Sequence, residues 1–225
     1  MPKKDFDYCS KKAEFRKICM ADPIKKIFGK MPDGMVIADT AGEYSEEIRA
    51  TAFWQLLRHG AITSPSQFMG VDDDSKCGKD SIVRLNQMRY GKGCKWEIPC
   101  VSDKIESYVA INKEKIGFVS LDLQSLPCNC IRVLVSVLES LRGCGHPYGV
   151  GFNAIYSAPH NKSVDLIGDS SVKAAVLREF GRACKMFPSL ERALREQVEP
   201  MWGYSYPGTG NSATVMACVV FRSAG

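Results

Sequence analysis

Residues 116–156 read IGFVSLDLQSLPCNCIRVLVSVLESLRGCGHPYGVGFNAIY and contain three apolar segments of different character. Residues 116–123 alternate as a strand does, and residues 148–156 form another segment that predicts a strand. Residues 131–141 between them are rich in β-branched side chains, but their apolar residues recur with helical spacing, which favours a helix. The centre of the chain is therefore predicted to be a strand, a helix and a second strand.

The remainder of the chain mixes helices and strands in the same way. The predicted helices cover residues 10–20, 46–59 (with Ser45 as N-cap), 103–112, 171–187 and 189–200; the predicted strands cover 35–38, 82–90 and 213–222; and residues 61–80 and 201–212 are predicted loops. Intermingled helices and strands predict an α/β or α+β domain with a mixed sheet and packed helices.

The excess positive charge of the chain lies in its first 30 residues. The chain has 225 residues and a formal net charge of +5. Residues 1–30 contain nine Lys or Arg and four Asp or Glu, whereas residues 31–225 are balanced. We therefore expect a basic, amphipathic and partly helical N-terminal segment over residues 1–30, followed by a single globular domain over residues 31–225. The nine cationic residues are Lys3, Lys4, Lys11, Lys12, Arg16, Lys17, Lys25, Lys26 and Lys30.

This cationic segment predicts nucleic-acid binding through those nine residues. Lys and Arg neutralise phosphates and release counterions, which gives sequence-independent and salt-sensitive binding. The sequence thus favours a non-enzymatic nucleic-acid-associated or assembly protein, with RNA or single-stranded DNA as its partner. A helix face packed on the domain, an acidic membrane surface and a protein partner are the alternatives for the segment. A protein-interaction module is an alternative for the whole chain.

The sequence carries no signal for export or membrane insertion. Its start lacks the apolar segment of a signal peptide, and its longest apolar runs are shorter than the roughly 20 residues that a membrane span needs. A cytoplasmic or nuclear protein with reduced thiols at its ten cysteines is expected. The motifs indicate no cofactor, and the sequence leaves open whether the chain forms a homo-oligomer.

An enzyme with a site near Asp122, His160 and Asp165 is the alternative from another functional class. Asp122 ends a predicted strand, and the other two residues are five apart, which resembles fragments of the DEDD-type exonucleases. That resemblance implies two metal ions held by carboxylates, and hence a metal-dependent nuclease or another hydrolase. The chain departs from the family's Asp-x-Glu pair, because Gln124 stands where the Glu is expected and an amide is a poorer ligand for a hard cation.

Four residues have the chemistry of zinc ligands. They are Cys128, Cys130, Cys144 and His146. If residues 131–142 are helical, twelve residues at ~1.5 Å rise separate the two pairs by roughly 18 Å. A zinc ion needs all its ligands within ~2.0–2.3 Å, so the site requires that this segment is not a helix.

The run Asp39-Thr40-Ala41-Gly42 follows an apolar segment and is similar to the Asp-x-x-Gly switch element of small GTPases. A phosphate-binding P-loop needs Gly, four residues and then Gly-Lys-Ser/Thr, and no such run precedes it. A strand followed by a turn explains the same residues.

Overall fold

The computed structural model of the chain describes residues 13–40, 51–72, 98–122, 127–157, 202–207 and 213–222. The strands are β1 (Val36–Thr40), β2 (Phe68–Asp72), β3 (Cys100–Ser102), β4 (Ile116–Asp122), β5 (Tyr148–Ser157), β6 (Trp202–Pro207) and β7 (Ala213–Arg222). The α-helices are α1 (Asp22–Phe28), α2 (Ala52–Arg58), α3 (Ile105–Asn112) and α4 (Pro127–Leu141). Residues 13–16 are also helical and lead into a π-helix, Lys17–Ala21, which continues into α1.

The strands form one sheet in the order β3-β2-β1-β4-β5-β7-β6. The first five run parallel to one another, and β7 runs antiparallel to both of its neighbours, β5 and β6. Chain order proceeds outward from β1 to β3 on one side, and then from β4 to β5 on the other. The order in which the chain adds strands to the sheet therefore reverses between β1 and β4. The mixed sheet with its packed helices confirms the predicted fold class.

Both faces of this sheet are covered. The first six residues of β4 are all buried, which is typical of a parallel strand that is packed on both sides. On one face the N-terminal helical residues, α1 and α2 build a core cluster with the strands, in which the rings of Phe53 and Phe68 meet edge-on with centroids 5.5 Å apart. α3 and α4 pack against each other, and they contact β1, β2 and β5.

The N-terminal helical residues lie very close to β5. A Cβ atom at Gly151 would be 3.2 Å from the carbonyl oxygen of Cys19, and one at Gly149 would be 2.6 Å from a ring carbon of Phe118. Glycine in a strand commonly marks such a close backbone approach. The described part of the basic segment is thus packed against the sheet, and the division of the chain at residue 30 stays a prediction.

The elements with strong local periodicity are confirmed. The predicted strands at 116–123, 148–156 and 213–222 correspond to β4, β5 and β7, and the helix at 131–141 is the main part of α4. The helix predicted over 103–112 is α3, which begins at Ile105.

Two predicted loops are wrong, because each contains a strand. Residues 61–80 include β2, which begins directly after a short 3₁₀ turn, Pro65–Gln67, capped by Ser64. Residues 201–212 include β6, which is one of the two edge strands of the described sheet. Proline is tolerated on an edge strand, so Pro207 does not prevent pairing with β7 there.

Of the helix predicted over 46–59, the structure describes residues 51–59, and Thr51 is the N-cap of the helix that it contains. This residue has an extended backbone (φ −67°, ψ 151°), and its Oγ1 accepts a hydrogen bond from the Trp54 N–H at 3.4 Å, so α2 begins at Ala52. Gly60, with φ 69°, follows the end of α2 as predicted. The predicted cap Ser45, the strand over 82–90 and the helices over 171–187 and 189–200 lie outside the described residues.

Within the ranges described, no helix combines the length and the apolar character needed to cross a membrane. Three cysteines in these ranges, Cys19, Cys100 and Cys144, form no disulfide bond.

Candidate active site

The polar residues of the candidate site lie between β1 and β4, where the strand order reverses. β1 ends with Asp39 and Thr40, and its neighbour β4 ends with Ser120, Leu121 and Asp122. Asp39 and Ser120 are register partners. In open α/β sheets, ligands bind outside the carboxyl ends of the strands at such a crossover point. The carboxyl ends of β1 and β4 are therefore the position at which this fold is expected to place a site.

Thr40 joins the ends of these two strands. Its Oγ1 accepts a hydrogen bond from the Asp122 N–H at 2.6 Å and donates one to the Ser120 carbonyl oxygen at 3.4 Å. A buried backbone N–H without an acceptor is costly, so the hydroxyl completes the pairing where the regular ladder ends. The backbone at Asp122 is thus held in place by a side chain of the neighbouring strand.

Arg16 reaches the same edge of the sheet from the N-terminal helical residues. Its Nη2 lies 3.4 Å from Oδ2 of Asp122, and the two side chains are 15% and 16% exposed. A charge pair that is largely removed from water is screened less by salt than a surface pair. Removal of one partner also leaves the other charge uncompensated in a poorly hydrated place.

Asp39 is the most deeply buried acidic group described at this edge, with 4% of its surface exposed. Burial, which disfavours the charged form, raises the pKa of Asp39 to about 7, and the Asp122 carboxylate acts in the same direction. The Arg16 guanidinium and a hydrogen bond from Ser120 lower the pKa and oppose this rise. Strongly perturbed carboxyl groups in clefts are candidates for functional residues.

The Ser120 hydroxyl has one proton and two acceptors near it. Its Oγ donates to Sδ of Met20 at 3.6 Å, and it also hydrogen-bonds to the Asp39 carboxyl group. Thioether sulfur is a weak acceptor, whereas an ionised carboxylate is a strong one. Ionisation of Asp39 is therefore expected to draw this proton away from Met20.

A small cleft opens beside this cluster, between the N-terminal helical residues and the ends of β4 and β5. The cleft is shallow: its enclosed space is about 10 Å³, enough for roughly one water molecule, and the wider empty volume of about 260 Å³ includes open solvent. Apolar walls with a few convergent polar groups are typical of ligand sites. The lining includes Phe15, Arg16, Met20, Ser120, Asp122 and Phe152.

The predicted catalytic residues are only partly within the structure. Asp122 lies at the cleft, but His160 and Asp165 lie outside the described residues, so their convergence with Asp122 stays a prediction. The structure brings two other groups, Asp39 and Arg16, to Asp122 instead.

The predicted nucleic-acid-binding residues differ in their surroundings. Arg16 is turned towards Asp122, whereas Lys17, Lys25, Lys26 and Lys30 are exposed. The remaining four, Lys3, Lys4, Lys11 and Lys12, lie outside the described residues.

The two predicted pairs of zinc ligands are at opposite ends of a helix. Cys128 and Cys130 are in the first turn of α4, which has 15 residues, and Cys144 and His146 follow its last residue. The Cys144 thiol and the His146 ring both approach the Lys113 carbonyl oxygen, at 3.5 and 3.3 Å. Among the residues that the structure describes, no group of three or more His, Cys, Asp or Glu side chains could hold a metal ion.

Sequence reasoning did not place Asp39, Thr40 and Ser120 in a candidate site with Asp122. It assigned the first two to a strand and a turn, and it passed over Ser120 within a strand. A usable signal was present, because an acidic residue ended each of two predicted strands. The parallel pairing that makes β1 and β4 neighbours was not readable from either segment alone.

Comparisons with known proteins agree with this architecture. No protein-family model matches the sequence, and no curated protein matches it significantly. Among solved structures, TYW2 from M. jannaschii, in complex with AdoMet, has a TM-score of 0.52 at 7% identity, over 99% of this chain and 78% of that one. The N-methyltransferase NodS from Bradyrhizobium japonicum WM9 has a TM-score of 0.48 at 7% identity, over 99% of both chains. An rRNA methylase from Streptococcus thermophilus has a TM-score of 0.44 at 12% identity, over 91% of this chain and 94% of that one.

The similarity to TYW2 agrees with the strand order in showing an α/β, Rossmann-like fold. The prediction of a non-enzymatic nucleic-acid-associated or assembly protein is wrong, because the chain shares its fold with TYW2, a protein solved in complex with AdoMet. The charge excess that led to the first prediction is real, but charge describes a surface and says nothing of the fold beneath it.

Proposed function

We propose that this chain is a methyltransferase that uses S-adenosylmethionine (AdoMet), with its site at the carboxyl ends of β1 and β4. The observation that carries the proposal is the polar cluster of Asp39, Thr40, Ser120 and Asp122 at the crossover point of a sheet with this strand order. The similarity in fold to a protein solved in complex with AdoMet supports the choice of cofactor.

The residues at the cleft fit a cationic cofactor. AdoMet carries a positive sulfonium centre and supplies a methyl group to a nucleophile. Arg16 balances the charge of Asp122, and Asp39, with a pKa of about 7, adds a negative charge to the cluster only above neutral pH. The aromatic side chains of Phe15 and Phe152 also line the cleft. Acidic and aromatic side chains together favour an organic cation.

Asp122 is the residue best placed to act on a nucleophile in this proposal. It lines the cleft, and its backbone is fixed by Thr40. A carboxylate there would orient an N–H or O–H nucleophile by accepting its hydrogen bond. Asp39 lies behind it and, with a pKa of about 7, is able to change its protonation near neutral pH.

RNA is the substrate class that we propose for this enzyme. Lys17, Lys25 and Arg58 are exposed and lie near His59. We call these four residues the basic surface. Burial first, and then the neighbouring cations, lower the pKa of His59, whereas the nearby Asp22 carboxylate opposes this shift. Such a surface suits contacts to a phosphate backbone while the base is presented elsewhere.

The proposal is tested first by binding of AdoMet. Isothermal titration calorimetry on the full chain should show AdoMet binding that D122N weakens by at least about tenfold, because the amide cannot replace the charge of the carboxylate. E139Q, which changes an acidic residue exposed on α4, is the matched control and should bind as the wild type does. Absence of AdoMet binding to the wild type at millimolar concentration would overturn the proposed function.

The substrate is tested by transfer of label. The full chain is incubated with AdoMet labelled in its methyl group, together with RNA, single-stranded DNA or a protein extract in separate reactions. Label in RNA alone is expected. Label in DNA or protein but not in RNA would replace the proposed substrate class and leave the methyltransferase assignment intact.

A further inference from the structure

We propose that Arg16 is a positioning residue of the candidate site, which holds the Asp122 carboxylate at the cleft and supplies the positive charge that Asp39 and Asp122 share. The site would then be incomplete without the helical residues that precede β1. This inference rests on the proposed function, but the NMR titration that tests it does not require methyltransferase activity.

Two contacts join the N-terminal helical residues to the end of β4. Arg16 meets Asp122, and Met20 meets Ser120. Residues four apart share one face of a helix, and residues two apart share one face of a strand. The helical residues therefore run antiparallel to β4, with both side chains directed at its carboxyl end.

Close packing fixes this helical segment against the sheet. The Cys19 carbonyl oxygen is so near Gly151 that a Cβ there would be only 3.2 Å away, and Phe15, Cys19 and Met20 are all buried. The π-helix that follows Arg16 changes the turn of the chain at this point, and such irregular turns are frequent at functional sites. Arg16 is thus carried by a rigid element and not by an exposed arm.

Electrostatics explain why an arginine is useful here. The charged groups that act on Asp39 are Arg16, from the N-terminal helical residues, and Asp122, from β4. Without Arg16, two carboxyl groups would face each other in a poorly hydrated place, and like charges so placed resist ionising together. Arg16 therefore offsets the repulsion that the strand order imposes by bringing the ends of β1 and β4 together.

The test follows the titration of Asp39 in the full chain. The midpoint is read from the carboxyl carbon by NMR in the wild type, R16Q, R16K and the control R132Q, whose arginine is exposed on α4. Removal of an opposite charge should move the midpoint of R16Q upward by about one pH unit or more. R16K, which keeps the charge, should shift less, and R132Q should titrate as the wild type does.

An unchanged midpoint in R16Q would overturn the role of Arg16, whatever its effect on stability. If R16Q does not fold, R16M takes its place, because methionine removes the charge but keeps an unbranched side chain, and a midpoint in R16M equal to that of R132Q would overturn the role of Arg16. A wild type that fails to bind AdoMet would remove the proposed function, whereas the NMR titration would still decide on Arg16. Where methyl transfer is measured, we expect a rate loss of about tenfold or more in R16Q at saturating AdoMet, because the carboxylate is misplaced.

Discussion

The Asp39 carboxyl group is almost completely shielded from water, and its pH behaviour follows from that shielding. Its pKa is about 7 in the folded chain, compared with the ordinary value of 3.8. Between these two values the folded chain holds a proton that the unfolded chain has released. The free energy of unfolding must therefore fall as pH rises through this window, and level off above it.

The substitution D39N tests this behaviour because an amide does not ionise. From about pH 5 to about pH 8, the unfolding free energy of the wild type should fall by roughly 2–3 kcal/mol relative to that of D39N. Urea denaturation at the two pH values measures the difference. Parallel pH dependence of the two proteins would show that Asp39 is not protonated in this range.

Thr40 allows a second prediction at the residue scale. T40V removes the hydroxyl that accepts from the Asp122 N–H at 2.6 Å while nearly preserving the side-chain volume. An unsatisfied, partly buried N–H should destabilise the fold by about 1–3 kcal/mol. T40S keeps the hydroxyl and is the control, so equal destabilisation of both variants in urea would point to packing and not to the hydrogen bond.

At the scale of the element, the contact between the N-terminal helical residues and β5 depends on glycine. In G151A the added Cβ would lie 3.2 Å from the Cys19 carbonyl oxygen and 3.2 Å from the Phe118 ring. Overpacking of this kind should cost about 1–3 kcal/mol in denaturant unfolding. G145A, with nothing within 4 Å of its Cβ position, is the matched control and should be nearly neutral. Equal stability of the two variants would mean that the helix is not tightly seated.

Elements were predictable where the pattern was local and long. β4, α4, β5 and β7 each carry enough apolar residues in register to be recognised from sequence. β2 and β6 were missed because each is short and bordered by turn-forming residues, so its strand conformation depends on neighbours distant in the chain.

The candidate site was predictable only in part for the same reason. Asp122 was identified from its place at the end of a predicted strand. Its partner Arg16 is 106 residues away in sequence and was interpreted as one of nine surface cations. Local periodicity carries no information about which strands become neighbours, and that choice brings Asp39 to Asp122.

At the scale of the whole molecule, the basic surface should control salt dependence. In a triple variant, K17Q, K25Q and R58Q combined, the slope of log affinity for RNA against log salt should decrease by up to about three, about one for each phosphate that is no longer neutralised. Fluorescence anisotropy at several salt concentrations measures it. The combined K104Q, K113Q and K115Q variant makes the same change in net charge near α3 and should keep the wild-type slope. Equal slopes in both triple variants would mean that only total charge matters.

The place of β7 in the sheet has a consequence for how the chain is made. β7 lies between β5 and β6, although it follows both in sequence. During synthesis from the N-terminus, one edge of β5 and the whole of β6 cannot pair within the sheet until residues 213–222 have left the ribosome. An open edge of that kind is a template for pairing with other chains. Nascent chains stalled before residue 213 should therefore depend on chaperones much more than the finished protein does.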